Sequence, residues 1–162
     1  MLPRELVSRR DKISNFVKAK RLLVPRMPID EQPIFAGHLV LQIGGFIEQS
    51  MQVMVNRYID ENGGSGGARR FIGRKIGRMN SLSSGKIKLI LDDFDTSLYN
   101  AFSTEIGQQG VDALDSVKRA RDNFAHGSED KTTFLIAAGY FKDVRNFPEA
   151  LHIALGTTPA TP

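Results

Sequence analysis

The sequence predicts an all-α fold. Apolar residues recur at helical spacing in every segment between loops, and no segment shows the sustained alternation of apolar and polar residues that marks a half-buried strand. A chain of 162 residues has the size of one domain and is long enough to bury a single core. We therefore expect one helical domain over residues 1–156, followed by a flexible tail at residues 157–162.

The first part of the chain is predicted to form an amphipathic helix and then a long core helix. Apolar residues at helical spacing extend from Leu6 to Val24, and three prolines within residues 25–33 then predict an extended connector. Residues 36–59 are apolar over about the length of a membrane span. Six polar side chains in that stretch would be costly in hydrocarbon, so we expect a core helix and no membrane anchor. They are Gln42, Glu48, Gln49, Gln52, Asn56 and Arg57.

The next segment, "DENGGSGGARR" at residues 60–70, is the clearest loop of the chain. Its glycines follow neither the spacing nor the preceding strand of a phosphate-binding loop, so we interpret it as a flexible connector. Helical spacing resumes after it, and the last helix contains Pro148, which should kink or split it. The predicted helices cover residues 68–78, 84–102, 111–126 and 133–155.

Charge is distributed unevenly along the chain. Residues 1–88 carry 16 Lys and Arg against 7 Asp and Glu, whereas residues 89–162 carry 6 against 11. The segment "ARRFIGRKIGRMNSLSSGKIK" has no acid among its cations, and such runs can hold phosphate backbones. A solvated basic face that keeps the protein soluble is the alternative interpretation. The candidate RNA-binding residues are Arg69, Arg70, Arg74 and Lys75.

The helix predicted at residues 111–126 places an arginine within its apolar stripe. Arg121 lies four residues after Val117 and seven after Leu114, so its side chain is expected to point toward the core or toward a partner. Because a guanidinium keeps its charge at any reachable pH, a partly desolvated Arg121 requires an anion, either a carboxylate or a phosphate. The stripe expected to face the core comprises Val111, Leu114, Val117, Phe124 and Ala125.

A wholly polar stripe runs beside the apolar one. Asp122 and His126 are at i and i+4, close enough for the carboxylate to accept from one imidazole nitrogen and leave the other free for chemistry. Gly127 suits the position just past a helix, which places His126 in the last turn. The pattern fits proton transfer at a phosphate beside Arg121, and it also fits a capping histidine next to a structural arginine. The stripe comprises Asp112, Asp115, Arg119, Asp122 and His126.

The predicted core helix carries an acid among apolar neighbours. Glu48 lies between Ile47 and Met51 in this helix, and two interpretations of it remain open. It could pair with Arg121 and orient it, or it could face solvent on the polar side of its helix. The glycine pair at residues 44–45 of the same helix would let another backbone approach closely.

Composition argues against several other chemistries. The chain has no cysteine, which removes disulfides and thiolate metal ligands and fits a reducing cytoplasm. Its three histidines include no pair at i and i+4, so we expect neither a metal nor a cofactor. The first residues, "MLPRELVSRRDK", lack the apolar stretch of a signal peptide. These features together predict a cytoplasmic protein.

The segment "RDNFAHG", residues 121–127, resembles the Arg-x4-His motif of the HEPN superfamily. It looks most like the RiboL-PSP branch, in which "RNxIAHG" is a common form. That family consists of small helical bundles that dimerise so that two copies of the motif meet, and many members are metal-independent ribonucleases in toxin, antiphage or RNA-processing settings. The resemblance implies an up-and-down bundle with short extra helices and a catalytic pair, Arg121 and His126. One toxin branch has a tyrosine where this chain has Ser128, so regulation through that tyrosine is not implied.

Two hypotheses for the function follow. The first is a homodimeric endoribonuclease that cuts RNA through its 2′-hydroxyl in a composite groove, with a cognate antitoxin or regulatory protein as a further expected partner. In this hypothesis Asp122, in the place of the polar residue that often follows the arginine, is a third catalytic residue, while Asn123 and Glu48 have supporting roles. The second is a non-catalytic helical module that uses the same polar stripe to dimerise, to hold RNA or to bind a partner protein.

Overall fold

A computed structural model describes residues 1–77, 81–127 and 131–156, and within these ranges it contains only helices and their connections. The prediction of an all-α fold is therefore confirmed. Arg78 of the basic segment, Ser128 and the predicted tail at 157–162 lie outside the described residues. The helices are α1 (Arg4–Lys20), a 3₁₀ turn (Val24–Arg26), α2 (Gln32–Glu61), α3 (Gly66–Gly77), α4 (Ser84–Asp92), α5 (Leu98–Ala125), α6 (Phe134–Val144) and α7 (Phe147–Ala154).

Helix α2 is the central element, and α1, α5, α6 and α7 all pack against it. Aromatic contacts fix the level of α1 and α6 along it. Phe16 of α1 meets His38 of α2 at a ring distance of 5.2 Å and Phe134 of α6 at 5.9 Å. Farther along α2, Phe46 meets Phe141 of α6 at 6.4 Å. The end of α1 thus lies beside the beginnings of α2 and α6, and α6 runs in the same direction as α2.

Helix α5 runs antiparallel to α2, which completes an up-and-down arrangement. Gly37, near the beginning of α2, lies against the ring of Phe124 near the end of α5, and Gly44 lies against Arg121 one turn earlier in α5. A β-carbon on Gly37 would stand 3.1 Å from the Phe124 ring, a tighter contact than is usual, so the glycine favours this close approach. The last turn of α5, with its candidate residues, is consequently held against the first turns of α2.

The core explains why the long apolar stretch forms a helix and not a membrane span. Its buried residues recur every three or four positions along α2, so one broad stripe faces α1, α5 and α6 while the remaining side chains reach water. Burial of each large aliphatic or aromatic side chain stabilises the fold by about 1.5–3 kcal/mol. No helix in the described parts of the chain is long and apolar enough to cross a membrane. The large side chains of α2 with almost no exposure are Leu39, Ile43, Phe46, Ile47, Met51 and Met54.

Several helix boundaries differ from the predicted ones, and prolines account for part of the difference. The predicted extended connector at residues 25–33 is wrong, because Pro25 lies in the 3₁₀ turn and Pro33 in the first turn of α2. The missing N–H of proline has no helical partner in a first turn, and its fixed φ suits a helix start. Pro148 likewise begins α7, so the last predicted helix is split rather than kinked.

The middle of the chain also differs from prediction. Residues predicted as one helix over 84–102 belong to two helices, α4 and the beginning of α5, and α5 continues to Ala125. It does so through Gly107, whose φ of 74° and ψ of 164° lie in a region essentially restricted to glycine. Two helical segments of different direction are therefore joined at this residue. Helix α3 begins at Gly66, so part of the predicted glycine loop is helical.

His152 of α7 is half-buried among charged groups at the far end of the bundle. Burial, followed by the positive charges of the amino terminus and Arg57, lowers the pKa of His152 below its usual value of 6.5. The carboxylates of Glu61 and Glu149 act in the opposite direction but do not reverse the shift. The folded state therefore favours the neutral imidazole.

We expect this histidine to make stability depend on pH. Because the folded pKa of His152 is lowered, its contribution is fully present above about pH 6.5 and is lost as pH falls from there through the folded pKa. Thermal unfolding should show that Tm decreases as the pH is lowered from about 7.5 to about 5.5. The decrease of Tm per pH unit should be smaller for His152→Gln than for the unaltered chain. The two proteins compared at about pH 8 give the packing effect of the substitution alone. Equal slopes would assign the dependence to other groups.

Candidate functional site

Arg121 of α5 is paired with Glu48 of α2. Its Nη1 donates to Glu48 Oε1, and the two side chains are only 25% and 29% exposed. A β-carbon on Gly44, one turn before Glu48, would stand 3.3 Å from Arg121 Cδ, so the glycine provides the space in which the arginine lies. Of the two interpretations of Glu48, the structure has the first: it contacts Arg121 and does not simply face solvent.

A second arginine lies beside the first on the glycine pair. Arg9 of α1 approaches Gly45 so closely that a β-carbon there would collide with its guanidinium, and its Nη1 donates to Gln49 Oε1 at 2.6 Å. The sequence predicted that these glycines would admit another backbone. The structure shows instead that Gly44 and Gly45 admit two arginine side chains, one from α1 and one from α5.

Ser81 links the Glu48 carboxylate to the rest of the site. Its backbone N–H donates to Glu48 Oε1 at 2.8 Å, and its carbonyl accepts from Lys86 Nζ at 3.2 Å. The residue is 7% exposed, and its φ of 60° lies in the left-handed region that a non-glycine residue rarely occupies. The sequence contains no signal for this role, because it depends on which backbone N–H reaches a carboxylate 33 positions earlier.

Asp122 has a different partner from the one predicted. Its Oδ2 pairs with Lys118 Nζ at 2.6 Å, one turn earlier on α5, and among the described residues no hydrogen bond joins this carboxylate to the imidazole of His126. The Lys118 hydrogen bond is the main reason that the pKa of Asp122 is lowered, with smaller contributions from the Ser81 side chain and from the charge of His126. The Asp122 carboxylate is therefore an ionised neighbour of the His126 imidazole and not its hydrogen-bond acceptor.

His126 lies at the exposed end of α5. It is the C-cap residue, its backbone N–H donates to the Asp122 carbonyl at 3.0 Å, and Gly127 follows with a φ of 64°. The left-handed Gly127 agrees with its predicted place just past the helix. The side chain of His126 is exposed, as is Ala125, which was predicted to face the core. Asn123 is half-buried on the same turn and takes part in interactions of its own.

Two other members of the polar stripe have structural partners. Asp115 accepts from the backbone N–H of Ser84 at 2.8 Å and from its hydroxyl at 2.7 Å, so this carboxylate fixes the first turn of α4 against α5. Asp112 accepts from Gln108 Nε2 at 2.7 Å on α5 itself. Arg119 remains exposed. The stripe is thus only partly available to a ligand.

Residues 68–77 of the basic segment belong to α3, and the cations of this helix fall into two kinds. Arg69 pairs with Asp60 at 2.5 Å, and Lys75 pairs with Asp93, so acids distant in sequence neutralise half of the predicted RNA-binding set. Arg70 and Arg74 are exposed, and no salt bridge to them occurs within residues 1–77, 81–127 and 131–156. These two are the cations of α3 that remain free to meet a phosphate.

The fold and site together define an all-α bundle with a part-buried arginine–glutamate pair and an exposed histidine at the end of the arginine's helix. The described parts of the chain contain no group of three or more His, Cys, Asp or Glu side chains that could hold a metal ion. No family model matches this chain, and neither a curated protein nor a solved structure matches it.

The Glu48–Arg121 pair should couple strongly in a double-mutant cycle. Either single replacement by Ala leaves a half-buried charge without its partner, so each should lower the free energy of unfolding by about 1.5–3 kcal/mol. The double variant should lose less than the sum of the two. Urea unfolding measures all three, with the exposed Arg69–Asp60 pair as a control whose coupling should be smaller. Additive losses at Glu48 and Arg121 would contradict the pairing.

Proposed function

We propose that this chain is a metal-independent endoribonuclease of the HEPN type, acting as a homodimer, in toxin or antiphage defence or in RNA processing. The observation that carries the proposal is the contrast between Arg121 and His126. The arginine is held in one orientation by Glu48, whereas the histidine five residues later is exposed at the end of the same helix. A fixed cation and an accessible proton carrier are the two groups that phosphoryl transfer without a metal requires.

Helix geometry supports a site made by two chains. Five residues along an α-helix correspond to a rotation of about 140° and a rise of about 7.5 Å. Arg121 lies against α2, so His126 of the same protomer points to a different side of α5. In a symmetric pair with the ends of both α5 helices adjacent, the histidine of one chain can approach the arginine of the other. This geometry gives a physical reason for the composite site.

The reaction uses a nucleophile that the substrate supplies. His126 accepts the proton of the ribose 2′-hydroxyl, whose oxygen attacks the adjacent phosphorus, and the His126 of the second chain donates a proton to the leaving 5′-oxygen. Arg121 donates to the phosphoryl oxygens as negative charge accumulates there. Glu48 engages Nη1 and leaves other N–H groups of the guanidinium for the phosphate, so it is a positioning residue. The products are a 2′,3′-cyclic phosphate and a 5′-hydroxyl.

A second candidate function has a specific observation in its favour. Arg121 pairs with Glu48 of α2 and Asp115 accepts from Ser84 of α4, which is the pattern of a polar seam that fastens helices together. A non-catalytic module could use such a seam to fix α5 and could bind RNA, an antitoxin or another regulatory protein through the exposed surface nearby. This alternative predicts binding without cleavage, and it differs from the first proposal in its dependence on His126.

Cleavage of labelled RNA distinguishes the two functions. Arg121→Ala and His126→Ala should each lower the rate by about a hundredfold or more, the scale of an electrostatic stabiliser and of a general acid or base. Arg26→Ala, an exposed arginine of the 3₁₀ turn, and His38→Ala, an exposed histidine on α2, are the controls outside the candidate site and should retain activity. Mass spectrometry should detect 2′,3′-cyclic phosphate ends, and cleavage should persist in chelator.

Several outcomes would contradict this mechanism. Cleavage of a substrate with 2′-deoxyribose at the scissile position would exclude the internal nucleophile, and dependence on added magnesium would indicate a different chemistry. Sedimentation velocity at micromolar concentration, with and without RNA, tests the dimer. A protein that stays monomeric under both conditions would remove the composite site, and RNA binding without cleavage would favour the non-catalytic module.

Arg70 and Arg74 of α3 should hold RNA without reading its bases. Replacing both by Ala should weaken binding to different single-stranded sequences about equally and reduce the salt dependence by about 0.7 in slope per lost phosphate contact. Filter binding across a salt series measures this slope. Lys12 and Arg26, exposed on other elements, provide a control double variant with the same charge loss. If both double variants change the slope of the salt dependence equally, α3 is not a preferred RNA-binding surface.

A further inference from the structure

A groove of about 420 Å³ lies between α1 and α6. Both helices pack on α2, which forms no part of the groove's lining, so their facing sides leave an open channel along the surface. Its floor is aliphatic, with Val17 from α1 and Leu135 and Ala138 from α6. Leu135 is 48% exposed and lines the groove together with Ala138 and Val17. The channel therefore presents apolar surface to solvent.

Cations line both sides of this channel. Lys18 and Arg21 stand on the α1 side, and Lys142 and Arg145 stand on the α6 side. All four are exposed, no acid lines the groove, and within the described residues none of the four has a salt bridge. Four unpaired positive charges around one concave surface produce a positive potential that attracts an acidic partner.

The floor of the groove distinguishes between acidic partners. Single-stranded nucleic acids bind by stacking bases on aromatic rings, and the one aromatic residue of the lining, Phe141, is only 5% exposed. Aliphatic side chains between two helices are instead the usual surface for an amphipathic helix, whose apolar residues at i, i+4 and i+7 enter the channel. The chemistry of floor and sides thus favours a protein helix over RNA.

We propose that the α1–α6 groove is the docking site of an acidic amphipathic helix from a partner protein. Its apolar face covers Val17, Leu135 and Ala138, and its Asp and Glu residues on both flanks pair with the cations of α1 and α6. The Leu135 end of the groove lies at the end of the bundle that carries His126, since Phe134 packs on Phe16 at the end of α1. A bound partner helix would therefore lie near the candidate site, although the proposal does not depend on nuclease activity.

A designed peptide tests the docking site. The probe is a fluorescein-labelled 16-residue helical peptide with leucines along one face, glutamates on both flanks and alanine elsewhere. Fluorescence anisotropy should show saturable binding that weakens with salt, and ¹⁵N spectra should show shifted amides at Ala138 and Gly139. The Lys142→Glu/Arg145→Glu variant should bind about tenfold more weakly or worse. Arg70→Glu/Arg74→Glu, with the same charge change on α3, should bind within about twofold of wild type.

Further arms make the outcome decisive. A peptide with glutamine in place of glutamate should lose affinity, and one with lysine in place of glutamate should prefer the Lys142→Glu/Arg145→Glu variant over the unaltered chain. Absence of saturable binding, or equal losses in the groove variant and the α3 variant, would overturn the proposal. A 12-nucleotide single-stranded RNA that displaces the peptide and shifts the same amides would also overturn it, because the groove would then be a nucleic-acid surface. Circular dichroism confirms that both variants keep their helical content.

Discussion

The ion pair between Arg121 and Glu48 is the constraint on which the site depends. It joins the middle of α2 to the last turns of α5, and the arginine lies against Gly44, where a β-carbon would stand 3.3 Å from Arg121 Cδ. A half-buried guanidinium without its carboxylate would destabilise the folded state, and so would a half-buried carboxylate without its guanidinium. The pair, together with the contact of Gly37 with Phe124, joins α2 to the end of α5, and His126 lies five residues after Arg121 at the exposed end of that helix.

The Glu48 carboxylate also positions Ser81, which lies between α3 and α4 and outside any helix. Glu48 accepts from the backbone of Ser81, and the carbonyl of Ser81 in turn accepts from Lys86 at the beginning of α4. A left-handed serine costs about 1–3 kcal/mol of local strain, which the surrounding hydrogen bonds must offset. Ser81, Lys86 of α4 and Arg121 of α5 therefore form one polar network around the carboxylate of Glu48 in α2.

The sequence predicted the parts of this structure that depend on local periodicity. The all-α class follows from helical periodicity in every segment between loops. The inward position of Arg121 follows from its spacing along one helix, and its need for an anion follows from the permanent charge of a guanidinium. Which acid meets Arg121 and which acids meet the cations of α3 depend on helices that pack from distant parts of the chain, so the contacts with Asp60 and Asp93 could not be foreseen. For Asp122, the sequence predicted His126, four residues later, as its side-chain partner, whereas the structure has Lys118, four residues earlier.

The break at Gly107 divides α5 into two helical segments that are positioned by different neighbours. The first segment packs on α7 through Phe102, whose ring meets Phe147 at 5.3 Å. In the second segment, Gly110 lies against the carbonyl of Asp143 in α6. Because glycine has the widest range of backbone angles, the angle between the two segments can change more easily at this residue than elsewhere in the helix. The half of the helix that carries the candidate residues is aligned by its own contacts with α2, α4 and α6.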